Sequence, residues 1–335
     1  MEFLFDYLGF LARTATIVVA IVIVITAIAG LSRRQQRVQD GYIEITRIND
    51  RLRDMRRTIR HATLSPKQFK NQIKQEDKTL KKQQKEPSKG SSVFVLDFEG
   101  DIQASKVGRL RNEITAVLTG ATHDDEIVVR LESAGGMVHA YGLAASQLAR
   151  VKSKGIKLTA AVDKVAASGG YLMAAVADSI LAAPFALVGS IGVIAQIPNV
   201  HRLLKKHDID VEVLTAGEYK RTLTVLGENT EQGKAKFMEE LEDTHALFQE
   251  FVSANRPQLE MAEVATGESW YGQRAIDRKL VDRLCTSDEY LMDACDERDV
   301  FEVRWVEHKK PIERILDRFS QVASNTADKL LGRFV

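Results

Sequence analysis

The pattern of hydrophobic and charged residues divides the chain into three parts. Residues 14–31 carry no charged side chain and, with the apolar run before Arg13, are long enough to cross a bilayer as one helix. Residues 32–86 are dominated by lysine and arginine, with apolar residues at helical spacing. From Val93 onward, short apolar runs alternate with segments of helical periodicity. The pattern therefore predicts an N-terminal membrane anchor, a basic arm and a globular domain of strands and helices.

The globular part begins with alternating strand-like and helix-like segments. Apolar runs predict strands at 93–98, 127–131 and 157–162, and helical periodicity predicts helices at 107–118 and 137–151. Repeated strand–helix units with continuously apolar strands are typical of a largely parallel sheet with helices on both faces. We therefore predict an α/β fold, in which ligands gather at the carboxyl ends of the strands.

The second half of the chain carries weaker signals. Proline and glycine interrupt the apolar stretch 179–198, which favours buried strands and turns over a second membrane span. A further strand is predicted at 211–214, and a long helix at 231–255. The tail from Val300 is predicted to hold one more strand and an amphipathic segment at 312–331.

The basic arm has two interpretations. Its many cations favour a partly helical segment lying against anionic lipid headgroups, whereas a solvated charged linker or a coiled-coil arm has the same composition. Residues 85–92, Lys-Glu-Pro-Ser-Lys-Gly-Ser-Ser, predict a hinge before the globular part. The predicted organisation is an anchor, a basic helical arm with its hinge, a globular domain, and a C-terminal strand with an amphipathic tail, at 1–31, 32–92, 93–299 and 300–335.

The anchor has a rival interpretation as a cleavable signal peptide, because Ala27-Ile-Ala29 resembles a cleavage site. Glu2 and Asp6 make the preceding segment a poor start for a signal peptide, so an uncleaved anchor is favoured. The arginines that closely follow the span outnumber Arg13 before it, and the positive-inside rule therefore places the C-terminal part in the cytoplasm.

Overall composition excludes some classes of function. The 335 residues have a formal net charge of only +1, which argues against nucleic-acid binding through charge. Cys285 and Cys295 lack the spacing of a metal-binding motif. We therefore predict neither a metal site nor a cofactor.

Ser168 lies between predicted strand residues and an apolar helix, and Gly169-Gly170 follows it. A serine on such a tight turn exposes its hydroxyl and is typical of a catalytic nucleophile, although a helix-capping serine before turn glycines has the same pattern. No motif places any of the seven histidines beside it, which disfavours a Ser-His-Asp triad.

A lysine acts as a general base where burial favours its uncharged amine. Lys220 follows an apolar segment and Gly217, which makes it the candidate base; the alternative is a surface lysine in a loop. The N–H groups of Gly136 and Gly169, at the ends of two predicted strands, are candidate donors to a developing oxyanion.

Five motifs together resemble the SppA/SohB family of membrane-anchored serine peptidases, and the anchor and basic arm favour its single-repeat SohB branch. The resemblance covers about residues 93–285. Its motifs are Ser133-Ala-Gly-Gly136, Ala167-Ser168-Gly-Gly-Tyr171, Val188-Gly-Ser-Ile-Gly-Val193, Gly217-Glu-Tyr-Lys220 and the later Gly267-Glu-Ser-Trp-Tyr-Gly.

This resemblance implies a Ser–Lys dyad on a ClpP/crotonase-like fold. By matching motif, Ser168 is the nucleophile and Lys220 is the general base. The N–H groups of Gly136 and Gly169 form the oxyanion hole, and Ser190 hydrogen-bonds the lysine and orients it.

The implied function is a single-pass serine endopeptidase of the bacterial inner membrane, acting on peptides such as signal-peptide remnants or on damaged membrane proteins. The resemblance also implies a homo-oligomeric ring, in which a neighbouring copy could complete each site. It suggests the periplasmic face, whereas the arginines suggest the cytoplasm, so the side stays open. Two alternatives also stay open: a non-catalytic membrane scaffold, and a crotonase-type acyl-CoA enzyme that needs neither Ser168 nor Lys220.

Overall fold

The computed structural model describes residue 16 and residues 41–83 and 90–307. The predicted anchor at 1–31, apart from Thr16, and the predicted amphipathic segment at 312–331 lie outside the described residues. No helix within the described ranges combines the length and the apolar character needed to cross a membrane. Ile43–Trp305 forms one compact unit, and the fold below is that of this unit.

The strands belong to one branched, ten-stranded sheet. In chain order they are β1 Gly41–Arg47, β2 Val93–Gly100, β3 Glu126–Ser133, β4 Lys157–Val162, β5 Val165–Ala167, β6 Ser179–Ala182, β7 Leu187–Gly189, β8 Ser269–Tyr271, β9 Arg283–Leu284 and β10 Val300–Glu307.

The helices of the described part lie between these strands. They are α1 Ile48–Thr63, α2 Pro66–Gln83, α3 Val107–Gly120, α4 Val138–Ser153, α5 Gly169–Ala174, α6 His201–Lys206, α7 Glu231–Asn255, α8 Met261–Val264, α9 Gly272–Ala275 and α10 Ser287–Glu297.

The order of the strands brings several loops to the same place. Along the main path the order is β1-β10-β2-β3-β4-β6-β9, and a short branch runs from β3 through β5 and β7 to β8. The pairs β2–β3, β3–β4, β3–β5 and β5–β7 are parallel, and β7–β8 is antiparallel. Gly100 is paired with Ser133, and Ser133 with Ala166. The segments that follow β2, β3 and β5 therefore emerge side by side.

Both faces of the sheet are covered, as its continuously apolar strands predict. Alternate residues of β2 belong to different clusters: Leu96 and Phe98 pack in the larger one with α3 and α4, and Val93 and Val95 pack in the smaller one with α1 and α10. The predicted α/β fold, a large and mainly parallel sheet with flanking helices, is confirmed.

Most predicted elements of the globular part are confirmed. The strands predicted at 93–98, 127–131 and 157–162 are β2, β3 and β4, and the helix predicted at 231–255 is α7. The apolar stretch 179–198 contains the short strands β6 and β7.

Two local predictions are wrong. Residues 211–214 form no strand: Val213 and Leu214 are exposed in an irregular segment, and no neighbouring strand pairs with their backbone. Ile43 and Ile45, assigned to a helix by their spacing, lie in β1 instead. In both cases the sheet edge, which sequence periodicity does not report, decides whether an extended segment becomes a strand.

Candidate active site

Ser168 occupies a strained turn between β5 and α5. Its backbone angles are φ 51° and ψ −119°, a region that side-chain-bearing residues seldom adopt and that costs roughly 1–3 kcal/mol. The turn is fixed on both sides, because Ser168 N donates to Gly189 O at 2.8 Å and Leu172 N donates to Ser168 O at 2.9 Å. This is the backbone geometry that presents a nucleophilic hydroxyl clear of the helix after it.

The glycine turn after β3 lies directly against this serine. A Cβ atom added to Gly135, whose φ is +91°, would lie 2.7 Å from the nitrogen of Gly169 and 2.8 Å from Cβ of Ser168. A Cβ on Gly169 would lie 2.4 Å from Cγ of Tyr141. The two turns approach each other so closely that only glycine fits at these positions.

Two backbone N–H groups at this junction are available to a ligand. Within residues 41–83 and 90–307, the N–H groups of Gly136 and Gly169 donate no hydrogen bond to the protein. The N–H groups on either side of Gly136 are bonded: Gly135 N donates to Ser133 Oγ at 3.1 Å and Met137 N donates to Ile102 O at 2.8 Å. The turn is thus held in place while one donor stays free, which is the arrangement required of an oxyanion hole.

A cavity of about 320 Å³ opens beside Ser168, Gly136 and Gly169, all of which line it. Its wall is mainly apolar and comes from α4, α5 and α7, with Val138, Tyr141, Leu172, Leu247, Phe248 and Phe251 as its larger apolar side chains. Such a cavity suits an aliphatic or aromatic group of a ligand.

The two remaining predicted site residues, Ser190 and Lys220, do not line this cavity. Ser190 follows β7 in a left-handed conformation with φ 53°, half-buried, and its N–H donates to Glu268 O at 2.6 Å. Lys220 is exposed in the irregular segment 207–230, where its N–H donates to Gly217 O at 3.2 Å.

Contacts of this segment place Lys220 near the beginning of α7. The ammonium of Lys236 lies 5.3 Å from the ring centre of Tyr219, and a Cβ on Gly233 would lie 2.3 Å from Thr222 O. The part of α7 that lines the cavity starts at Thr244, which lies about 16 Å from Gly233 along the helix axis at 1.5 Å per residue. One chain therefore brings Ser168, Gly136 and Gly169 together, and Lys220 is not among the residues that line the cavity.

Neither a histidine nor a group of metal ligands lies at the cavity within the described part of the chain. His139 is exposed in the first turn of α4, and none of the described histidines lines the cavity. Across the part of the chain that the structure describes, no three His, Cys, Asp or Glu side chains are grouped closely enough to hold a metal ion.

Two features of the site escaped the sequence analysis. One is a chain of hydrogen bonds that joins Ser133, Tyr141 and Asp101, for which the sequence offers no spacing signal. The other is the wall supplied by α7. Phe248 and Phe251 are half-buried against the large core cluster of the same chain, and their helical periodicity was the available signal.

Comparison with known proteins gives a consistent answer. Residues 2–148 match the model of the peptidase family S49 N-terminal region, and residues 150–300 match the model of peptidase family S49. A probable protease SohB of Haemophilus influenzae is 49% identical over 95% of this chain and 93% of its own length. A probable protease SohB of Buchnera aphidicola from Acyrthosiphon pisum is 43% identical over 100% of this chain and 98% of its own.

Among solved structures, a membrane-bound stomatin-specific protease is 13% identical, with a TM-score of 0.39 over 61% of this chain and 84% of that one. The family models together span nearly the whole chain, and the SohB relatives match it along nearly their full length. This chain belongs to peptidase family S49.

Proposed function

We propose that this peptidase is a serine endopeptidase whose nucleophile is Ser168. The observation that carries the proposal is the strained serine turn itself, which lies on an apolar cavity beside two N–H groups without acceptors. A helix-capping serine would need neither the strain nor the free donors, because an N-cap side chain accepts a bond from its own helix and Ser168 does not.

The reaction then proceeds by acyl transfer. Ser168 Oγ forms a bond to the carbonyl carbon of the scissile peptide as its proton passes to a neutral lysine amine. The carbonyl oxygen becomes an oxyanion that accepts hydrogen bonds from Gly136 and Gly169. The carbon–nitrogen bond breaks, the lysine returns the proton to the leaving amine, and water hydrolyses the acyl ester by the same steps.

Lys220 is the proposed base, and a neighbouring copy of the chain is its proposed source. Leu214 in the segment that carries it is 88% exposed, and Ile194, which precedes α6, is 89% exposed; apolar surface of this kind favours a covering partner. In a homo-oligomeric ring, Lys220 would reach the Ser168 of the next subunit, and Ser190 would accept or donate a hydrogen bond that orients its amine.

We also propose that residues 1–31 anchor the enzyme in the bacterial inner membrane and that the arm lies at the bilayer surface. Lys67, Lys70, Lys74 and Lys78 follow one another at helical spacing along α2, all are exposed, and none forms an ion pair within the described residues. Such a row of cations suits anionic headgroups. A C-terminal alkaline phosphatase fusion would be active if the catalytic domain faces the periplasm, and a green fluorescent protein fusion would fluoresce if it faces the cytoplasm.

The nucleophile is tested by paired serine variants. Ser168→Ala is expected to abolish cleavage of fluorescein-labelled casein without changing the fold, since only the attacking oxygen is removed. Ser146→Ala is the matched control, because Ser146 also lines the cavity but donates its hydroxyl to Gly142 O at 2.8 Å. Undiminished casein cleavage by Ser168→Ala would refute the proposal.

A further inference from the structure

Tyr141 is the side chain that touches both glycine turns of the site. It is fully buried in α4, its hydroxyl lies 2.5 Å from Ser133 Oγ, and it donates a hydrogen bond to Asp101 O at 2.7 Å. Its side chain also lies against Gly169, where an added Cβ would lie 2.4 Å from the ring carbon Cγ. Tyr141 therefore contacts both turns that carry the free N–H donors, at Ser133 in the first turn and at Gly169 in the second.

The hydrogen bonds of this group have one consistent direction. The tyrosine proton goes to Asp101 O, so Ser133 Oγ donates to the tyrosine oxygen and accepts the N–H of Gly135 at 3.1 Å. Each hydroxyl thus donates once and accepts at least once. Cooperative chains of this kind strengthen their members in a buried setting.

The chain of bonds fixes the direction of the free donor. Gly135 N–H is tied to Ser133 Oγ, and Met137 N–H is tied to Ile102 O, the residue after Asp101. Gly136 lies between these two tied positions, so the direction of its N–H follows from them. Without the tyrosine hydroxyl, Ser133 Oγ still accepts the N–H of Gly135, but among the described residues its own proton has only Gly100 O as an acceptor, at a long 3.4 Å.

Resting on the function proposed above, we propose that Tyr141 is the positioning residue of the oxyanion hole. Its hydroxyl restrains the turn at 133–136 through the hydrogen bond with Ser133 Oγ, and its ring restrains Gly169 by packing against it. It does not touch the substrate oxygen. Its contribution is that both donors point at one place before a peptide binds, which is where most of the stabilisation of an oxyanion arises.

The test separates this role from a structural one by comparing catalysis with binding. Tyr141→Phe keeps the ring and removes the hydroxyl. We expect kcat for a leucyl peptide aminomethylcoumarin substrate to fall by about 10- to 100-fold with KM changed less than about twofold, because a displaced donor fails mainly in the transition state. Ser133→Ala should have a similar effect, and the double variant should lose little more than either single one.

A tetrahedral mimic gives the second measurement. A leucinal peptide aldehyde, whose adduct carries the oxyanion, should bind Tyr141→Phe at least about tenfold more weakly, whereas the matching peptide amide should bind equally well. The matched control is Tyr290→Phe, which also loses a partly buried hydroxyl bond, to Glu126 Oε1 at 2.6 Å, but at the opposite end of β3. It should leave kcat and aldehyde affinity unchanged.

The result that would overturn the positioning role of Tyr141 differs from the result that would overturn the proposed peptidase function. Wild-type kcat in both Tyr141→Phe and Ser133→Ala, in an enzyme that Ser168→Ala inactivates, overturns the positioning role alone. So does an equal loss of aldehyde and amide affinity. Should Tyr141→Phe fail to fold, Ser133→Ala decides by the same two measurements. Activity that survives Ser168→Ala overturns the proposed function instead.

Discussion

The surroundings of Ser168 and those of Lys220 differ in almost every structural respect. Ser168 lies between β5 and α5, its backbone N–H and C=O are both hydrogen-bonded, and Gly169 beside it is buried. Lys220 lies in an irregular segment that is exposed throughout its neighbourhood. In the proposed function, the nucleophile and the oxyanion donors are held in place within one chain, whereas the base is supplied by a neighbouring copy.

The largest effect on turnover is expected from a substitution of Lys220. Lys220→Ala should lower turnover by about 10³-fold, within the range for loss of a general base, yet leave the melting temperature unchanged because the side chain is exposed. Lys206→Ala, another exposed lysine just upstream in α6, is the control and should retain activity. Calorimetry and peptide hydrolysis measure the two quantities.

The same variant tests where the base comes from. Mixing Lys220→Ala with Ser168→Ala, each inactive alone, should restore part of the activity if one subunit supplies the amine to the next. No recovery in a mixture that demonstrably co-assembles would show that the base acts within its own chain.

The second effect is expected at the glycine turn that carries a proposed oxyanion donor, and two glycine variants measure it. Gly135→Ala and Gly155→Ala both place a side chain at a positive φ, +91° and +69°. At Gly135 the new Cβ also meets the backbone nitrogen of Gly169 at 2.7 Å, whereas at Gly155, in the turn after α4, its nearest neighbour is the side chain of His123 at 2.9 Å. Gly135→Ala should therefore slow fluorophosphonate labelling about 100-fold, and Gly155→Ala should not. Equal labelling rates in the two variants would contradict a preformed hole.

A smaller effect is expected at the wall of the cavity. Phe251→Ala removes a half-buried ring that lines it and should raise KM for a leucyl peptide by about 5- to 10-fold, since side-chain burial there contributes on the order of 1–2 kcal/mol. Phe237→Ala, half-buried on the same helix but away from the cavity, controls for helix stability. A KM change of equal size in both variants would remove the cavity from substrate binding.

The smallest effect concerns two buried carboxyl groups away from the serine, Glu113 in α3 and Glu126 at the beginning of β3. Burial raises the pKa of Glu113 above its ordinary 4.5, and its Oε2 has no hydrogen-bond partner among residues 41–83 and 90–307. Burial also opposes ionisation of Glu126, but hydrogen bonds from Thr159, Tyr290 and Arg298 prevail and lower its pKa.

Stability should therefore depend on pH with opposite signs at the two positions. The contribution of Glu113 is complete below pH 4.5 and is lost as pH rises through its raised pKa, whereas that of Glu126 is present above pH 4.5 and is lost as pH falls through its lowered pKa. In urea unfolding near neutral pH, Glu126→Gln should cost about 1–3 kcal/mol and Glu113→Gln should be neutral or slightly stabilising. The reverse order would contradict the assignment.

The sequence was informative where a local pattern and the tertiary structure coincide. The apolar runs of β2, β3 and β4 are buried on both faces, so their hydrophobicity alone identified them. The turn at Ser168 was visible because small residues must follow a strained serine. Residues 211–214 show the limit: their alternation predicts a strand, but strand formation requires a partner edge that the sequence does not reveal.

The site was predictable only in part for the same reason. Ser168, Gly136 and Gly169 lie at strand ends, and parallel strands bring their ends together. Tyr141 has no such signal, since its role depends on meeting Ser133 and Gly169 across two different turns. The position of Lys220 relative to a second copy depends on contacts between chains, which a single chain's pattern does not encode.

The identity of the residue that a fluorophosphonate modifies tests most directly whether Ser168 is the nucleophile. Treated with the probe and digested, the active protein should carry the adduct on the peptide that contains Ser168, with proteolysis lost in proportion to labelling. Full proteolysis by protein whose Ser168 is completely modified, or an inactivating adduct on another residue, would contradict that role.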